Sequence, residues 1–395
     1  MTTSIGARPA TDIPERLLLG SGPSPVPPRV LAALAQPTIG HMDPAFADIM
    51  GETIALLREA FQTENVATLP ISGTGSAGME ALVANFVDPG DRVVCGVNGL
   101  FGVRVADELR RAGAEVVEVT AEWGRAIPTE SLLEAATAAR AEAIVVVHGE
   151  TSTGVAQPLD GLSQWCREHD ALLLLDCVTS LGGHPLRLDE AGVDAAFSGT
   201  QKCLNCPPGL APFTAGERAL DKLRRRERPG RSWYFDLSLV LDYWSPEGSS
   251  ARAYHHTAPI NMIYGLREAL RIAVGDEWLP TSWERHRRAH HALRDALTVL
   301  GCERLAPDGE QLHPLLAVTP PDRIDEAAVR RGLLLDHGIE ISGGLGPLAG
   351  RLWRIGVMGA GARRAPQEQL VDALATLLHA DPAEPLAALA EGWRA

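Results

Sequence analysis

With 395 residues, 45% of them hydrophobic and 22% charged, the chain is long enough for a large core and has ordinary globular composition. A formal net charge of −14 argues against nucleic acid as a partner, because that would call for a basic face. The opening stretch MTTSIGARPATDIPERLLLG has no long apolar run and no later segment stays apolar over a bilayer's width, so a soluble, cytoplasmic protein without a membrane partner is expected.

Residues 1–20 read as an N-terminal arm, 21–275 as a large domain and 276–395 as a smaller one. From about residue 66 to 215, short apolar runs alternate with amphipathic helical patterns. Arg92 to Val97 reads as a strand and Leu100 to Arg111 as a helix. Ala114 to Val119 then reads as a strand, Glu130 to Ala141 as a helix and Ala143 to Val147 as a strand. A helix around Leu162 to His169 and the run Ala171 to Leu175 follow. Continuous apolar runs suit parallel strands covered on both faces, and the alternation predicts a doubly wound, mostly parallel α/β domain. In that architecture ligands sit beyond the carboxyl ends of the strands. A break around Asp276 to Ser282, with Pro280 inside it, precedes a long helical stretch, Trp283 to Leu300. Short runs at Leu315 to Val318 and Leu352 to Val357 and a helix over Gln367 to Leu378 then read as an α+β domain, and the last ten or so residues as a weakly ordered tail.

Only two of the 36 basic residues are lysines, Lys202 and Lys222. Lys222 lies in the charge-dense DKLRRRER and reads as part of a solvated helix face. Lys202 lies in SGTQKCLNCPPG, a turn-rich segment with no need of a solubilising cation. A guanidinium stays protonated, whereas a lysine can lose its proton and attack a carbonyl, so a nucleophilic amine is the sharper reading of residue 202. Cys203 and Cys206 form a CxxC, but Cys95, Cys166, Cys177 and Cys302 offer no second pair. Free thiols are therefore expected, and no metal.

Two further features stand at strand ends. Thr74, Gly75 and Ser76 belong to a Gly/Ser/Thr-rich turn entering a helix, which either serves as a plain cap or offers free N–H groups to a phosphate. Asp176 follows four leucines and is either a turn cap or the partner of a buried cation such as a protonated pyridine. His148 reads as a satisfied core histidine. An amine for an aldehyde, an acid for a ring nitrogen and a cradle for a phosphate are the three needs of pyridoxal 5'-phosphate, and they occur here in one chain order.

The segments GSGPSPVPPRVLAAL, IGHMDP, ISGTGSAGMEALV, GVNGLFG, HGETSTGVAQPLDG, LLLLDCVTSLGG, SGTQKCLNCPPG, YHHTAPINMIYGLREAL, ISGGLGP and WRIGVMG, spread from about residue 18 to 378, resemble the class V aminotransferases. More narrowly they resemble the alanine–glyoxylate (serine–pyruvate) group of fold type I pyridoxal-phosphate enzymes. The resemblance implies that Lys202 forms the Schiff base and that Asp176 pairs with the pyridine nitrogen. Phe101 and Val178 would cover the two ring faces and Thr151 would lie near the ring hydroxyl. Thr74, Gly75, Ser76, Thr200 and Gln201 would hold the phosphate, although many relatives carry His where this chain has Ser76. Tyr254 and Thr257 would reach the phosphate of the neighbouring subunit in a homodimer. Arg354 would clamp the substrate carboxylate, and Gly22 would let its backbone pass close by. No catalytic role falls to His255 or His256.

Transfer of an amino group from alanine or serine to glyoxylate is the favoured activity. (S)-Ureidoglycine is the alternative donor, for which Asn261 would offer an amide, while His41 stands where those enzymes are expected to carry Gln. A lyase or cysteine desulfurase would need a reactive Cys on a mobile loop, and none of the six sits in an obvious one.

Overall fold

The computed structural model describes residues 13–227, 229–244 and 253–394. A seven-stranded sheet is built from β1 (Ala67–Ser72), β2 (Arg92–Val97), β3 (Glu115–Thr120), β4 (Ala143–Val147), β5 (Leu172–Asp176), β6 (Ala195–Phe197) and β7 (Leu210–Ala215). Their order is β1-β7-β6-β5-β4-β2-β3. All run parallel except β7, which is antiparallel to β1 and β6. The central strands AIVVV and LLLLD are buried at every position, as expected for a sheet covered on both faces. EVVEVT departs from that pattern at one of the sheet's two edges: Glu115 and Glu118 face solvent and Val116 and Val119 are half-buried.

Helix Leu100–Arg111 buries Val105, Ala106 and Leu109 against the sheet, at the i, i+1, i+4 spacing of a single helical face. Helix Gly75–Phe86 packs closely enough that a Cβ on Gly78 would stand 2.9 Å from the Ala211 side chain.

A second, four-stranded antiparallel sheet holds β8 (Glu303–Arg304), β9 (Leu315–Thr319), β10 (Ser342–Gly343) and β11 (Trp353–Gly356), in the order β8-β9-β11-β10. Helices Leu279–Val299 and Arg364–Leu377 share its core. Pro280 lies in the first turn of the former, where its missing N–H costs nothing. The larger apolar core draws on residues up to Leu270, and the smaller one on Leu19 and residues from Ala289 onward.

Two expectations are corrected. Residues 1–12 of the expected arm lie outside the described residues, but Leu17–Leu18 is a short strand paired in parallel with Ile339–Glu340, and Leu19 is buried in the smaller core. The chain therefore packs against the smaller core before it builds the larger one. The expected C-terminal tail is a helix, Ala383–Gly392. Its alanines favour helix, Leu389 is fully buried, and Gly392 comes so close to Ala292 that a Cβ there would lie 2.6 Å from the Ala292 Cα.

Candidate active site

The carboxyl ends of β1, β2, β4, β5 and β6 meet around a cavity of about 220 Å³. Asp176 is the last residue of β5, in register with Val147 of β4 and Phe197 of β6. Lys202 follows β6 on a buried loop. Gly75 opens the helix after β1, Phe101 lies in the first turn of the helix after β2, and Thr151 follows β4. Thr74, Gly75, Ser76, Phe101, Thr151, Asp176, Val178, Gln201 and Lys202 all line this cavity. A larger hollow of about 880 Å³ lies beside Glu142 and Leu172, at the amino ends of β4 and β5. Three of its cations are engaged by acids, with Arg218–Asp194 at 3.1 Å, Lys222–Asp91 at 2.5 Å and Arg226–Asp236 at 2.8 Å. Chemistry, not size, therefore identifies the smaller cavity as the site.

Lys202 is buried, and its Nζ donates a hydrogen bond to the Ser21 carbonyl. Burial lowers the ammonium pKa from 10.5 to about 8, and the Arg354 charge acts in the same direction. The strand-to-helix stretch before Pro25 is laced to the lysine loop. Ser24 N–H donates to Gln201 O at 2.9 Å, Ser24 Oγ donates to Lys202 O at 2.6 Å, and Asn205 Nδ2 donates to Ser24 Oγ at 2.8 Å. Gly22 adopts φ +106°, and a Cβ there would stand 2.8 Å from Lys202 Nζ. The position thus needs glycine both for its backbone and for the lysine's room.

Asp176 is fully enclosed and accepts from Val178 N–H at 2.9 Å. Burial pushes its pKa from 3.8 up to about 7, a rise that the Glu150 charge supports and Lys202 and Arg104 oppose. A carboxylate in this condition gains from any cation placed against it.

At the other end of the cavity, helix Gly75–Phe86 begins at Thr74 with no side-chain cap. The buried Gln201 Oε1, which lines the cavity, has no hydrogen-bond partner. The uncapped N-terminus of this helix, with its positive dipole end, fits an anionic group such as a phosphate, whereas Gln201 Oε1 is an acceptor and calls for a donor. Arg354, on β11, is also buried: Nε donates to Gly343 O at 2.7 Å and Nη1 to Thr151 O at 3.2 Å. Those two carbonyls aim the guanidinium and leave its remaining donors for a carboxylate.

Other anticipated residues stand elsewhere. Thr200 is buried, and its hydroxyl donates to Pro207 O at 2.7 Å within the lysine loop. Tyr254 is 66% exposed and its ring centroid lies 5.3 Å from that of His41. Thr257 is exposed. None of these lines the cavity. Asn261 donates both amide hydrogens to chain carbonyls, Leu34 O at 2.9 Å and Gln36 O at 2.7 Å, and its oxygen accepts from Thr38 Oγ1 at 2.6 Å. In this chain Asn261 holds the end of helix Pro28–Leu34 rather than facing the cavity. His148 is a satisfied buried histidine, 2.8 Å from Ser180 Oγ. Cys203 and Cys206 are buried thiols, each pushed up to about 12 by burial.

Two site residues escape sequence reasoning. Arg104 lines the cavity with its guanidinium carbon 5.0 Å from the centre of the Phe101 ring. Glu150 is fully buried just after β4. The only hint of the latter is a carboxylate three residues beyond an all-apolar strand.

A buried lysine, an enclosed acid and an uncapped helix N-terminus meet at one strand-end cavity, and a buried arginine is hydrogen-bonded to the carbonyl of Thr151 on its wall. The chain belongs to the class-V aminotransferase family, which matches residues 16–350, and that family implies pyridoxal 5'-phosphate. It is 39% identical to the (S)-ureidoglycine–glyoxylate transaminase of Bacillus subtilis, covering 89% of this chain and 88% of the relative. It is 38% identical to the alanine–glyoxylate aminotransferase of Callithrix jacchus, over 95% and 90% of the two chains. Among solved structures, the alanine–glyoxylate aminotransferase of Nostoc sp. superposes with a TM-score of 0.90 at 47% identity, covering 93% of this chain and 97% of that one. The expected fold type I architecture and family are thereby confirmed.

Proposed function

We propose that the chain transfers the amino group of alanine or serine to glyoxylate, giving glycine and a 2-oxo acid, with pyridoxal 5'-phosphate held in the Lys202 cavity. The observation that supports this reading is that Lys202 and Asp176 line one buried cavity together with Thr151, whose carbonyl accepts from the buried Arg354. When bound, the cofactor supplies an electron sink for the charge left on the donor's α-carbon. Lys202 would hold the cofactor aldehyde, and its amine would take and return the donor's α-proton. Asp176 holds a proton on the ring nitrogen. Phe101 and Val178 sandwich the ring, with Thr151 beside its hydroxyl. Thr74, Gly75, Ser76 and Gln201 surround the phosphate, Thr200 braces the lysine loop through Pro207 O, Arg354 orients the donor carboxylate, and Gly22 leaves space beside the lysine.

The active form in this reading is a homodimer in which Tyr254 and Thr257 reach the partner's phosphate. The exposure of Tyr254 and of Trp233, at 66% and 61%, supports a surface that a second copy covers. Among the described residues no helix is long and apolar enough to cross a membrane, and six free thiols suit a reducing cytoplasm.

(S)-Ureidoglycine stays a second candidate donor on the strength of the Bacillus subtilis relative. The internal use of both Asn261 amide hydrogens weighs against it. A desulfurase is disfavoured because all six thiols are buried. Half-reactions test the assignment: the visible band of the loaded enzyme should bleach with alanine or serine and return with glyoxylate. Bleaching by ureidoglycine alone would transfer the assignment to that donor, and no bleaching by any of the three would remove both.

A further inference from the structure

Helix Leu100–Arg111 starts without a cap of its own. Gly99 occupies the N-cap position and the first turn holds no acidic residue. Yet its three leading peptide N–H groups all have partners, and all of them on another loop. Leu100 N–H donates to Ser152 Oγ at 2.9 Å, and Phe101 and Gly102 N–H donate to Glu150 Oε2 at 2.9 and 3.2 Å. The second carboxylate oxygen, Oε1, accepts from Ser152 N–H at 2.9 Å and from Ser152 Oγ at 2.6 Å.

Glu150 has no solvent exposure and, among the described residues, no salt bridge. Four donors and the positive end of the helix offset part of the cost of its burial, which still raises its pKa. The fit is close: a Cβ on Gly99 would stand 2.4 Å from the Glu150 Cδ. Two loops meet on this carboxylate, one carrying Phe101 and the other Thr151, and both residues line the cavity. Support for the ionised form of Asp176 does not explain Glu150, since its negative charge disfavours that form.

We propose that Glu150 is a positioning residue: from across the site it caps helix Leu100–Arg111 and so sets the slot in which Phe101 meets the cofactor ring. The inference rests on the reading that Phe101 stacks on that ring. Glu150→Gln keeps the volume but turns an amide N–H₂ toward peptide donors. Cofactor titration of the apoenzyme by absorbance, and visible circular dichroism per bound cofactor, are the readouts. Glu150→Gln should bind the cofactor about tenfold more weakly, in line with the loss of a helix cap, with reduced dichroism and a kcat that falls more than KM rises. Ser152→Ala, which removes the Leu100 acceptor and one Glu150 donor, should show the same changes in smaller measure. Affinity and dichroism within twofold of the parent in Glu150→Gln would overturn the proposal. If that variant does not fold, Ser152→Ala decides: weakened binding with altered dichroism supports the capping role, and unchanged values overturn it. Phe101→Ala separates the two layers of argument. Unchanged binding in Phe101→Ala would remove the stacking reading itself, whereas weakened binding there beside an unaffected Glu150→Gln would remove only the positioning role.

Discussion

Before Lys202 can capture an aldehyde it must lose a proton, so its pKa sets the pH dependence of cofactor capture. Burial first, then the Arg354 charge, bring that pKa from 10.5 to about 8 against the opposing pull of Cys203, Asp176 and Glu150. At pH 7 roughly one-tenth of the side chains would then be neutral, against about one in 3,000 for an unperturbed lysine, a gain of roughly 300-fold in the reactive form. The rate of cofactor capture by the apoenzyme, followed by stopped-flow absorbance, should climb about tenfold per pH unit below 8 and level off above it. Arg354→Gln removes the neighbouring cation and should move the midpoint upward. A rate still climbing at pH 10 in the parent enzyme would refute the low-pKa lysine. An unmoved midpoint in Arg354→Gln would refute the coupling. The same shift bears on stability. The folded pKa lies below the unfolded one, so the apoenzyme carries the cost of a buried ammonium below about pH 8 and sheds it between 8 and 10.5.

Asp176→Asn should separate stability from function. The folded pKa of Asp176 is raised from 3.8 to about 7, so its contribution to apoenzyme stability is lost as pH rises through that window. At pH 8 the asparagine variant should melt a few degrees higher than the parent as apoenzyme, yet turn over at least about a hundredfold more slowly once loaded; a lower melting temperature with retained kcat would contradict both halves. Arg354→Lys should raise KM for the amino donor by about 10- to 100-fold with a smaller change in kcat, because a point charge replaces a fork aimed by Gly343 and Thr151; an unaltered KM would move the carboxylate clamp elsewhere. Acid should unfold the protein through His148, His286 and His290, which burial depresses to about 4, 3 and 3. The unfolded chain takes up their protons below about pH 6.5, so at pH 5 each costs about 2 kcal/mol of stability. Melting temperatures should therefore fall steeply from pH 6.5 to 5 and less so in His290→Asn, and a flat profile would refute the argument.

What the sequence made legible were residues whose own chemistry demands a particular neighbourhood. Lys202 stands out because arginine does the work of a cation almost everywhere else in the chain, and Asp176 because a carboxylate after four leucines needs a partner. β2, β4, β5 and helix Leu100–Arg111 were legible because burial on both faces, or on one stripe, writes itself into the apolar pattern. The reversed direction of β7 was not, since LAPFTA is equally buried whichever way it runs. Glu150 was hidden for a different reason: its meaning lies in the N–H groups of a helix some fifty residues earlier, which no local pattern reveals. Asn261 shows the converse. Its side chain looks like a recognition group until the chain's own carbonyls are found holding both its hydrogens. A polar residue in a motif therefore indicates chemistry only where the fold leaves its donors and acceptors unspent. Gln201 Oε1 and the outer nitrogen of Arg354 meet that condition, and Asn261 does not. Donor choice in this enzyme should accordingly be decided around Gly22, which packs on the lysine, and Arg354, whose charge the lysine feels, rather than by the amide on helix Ile260–Leu270.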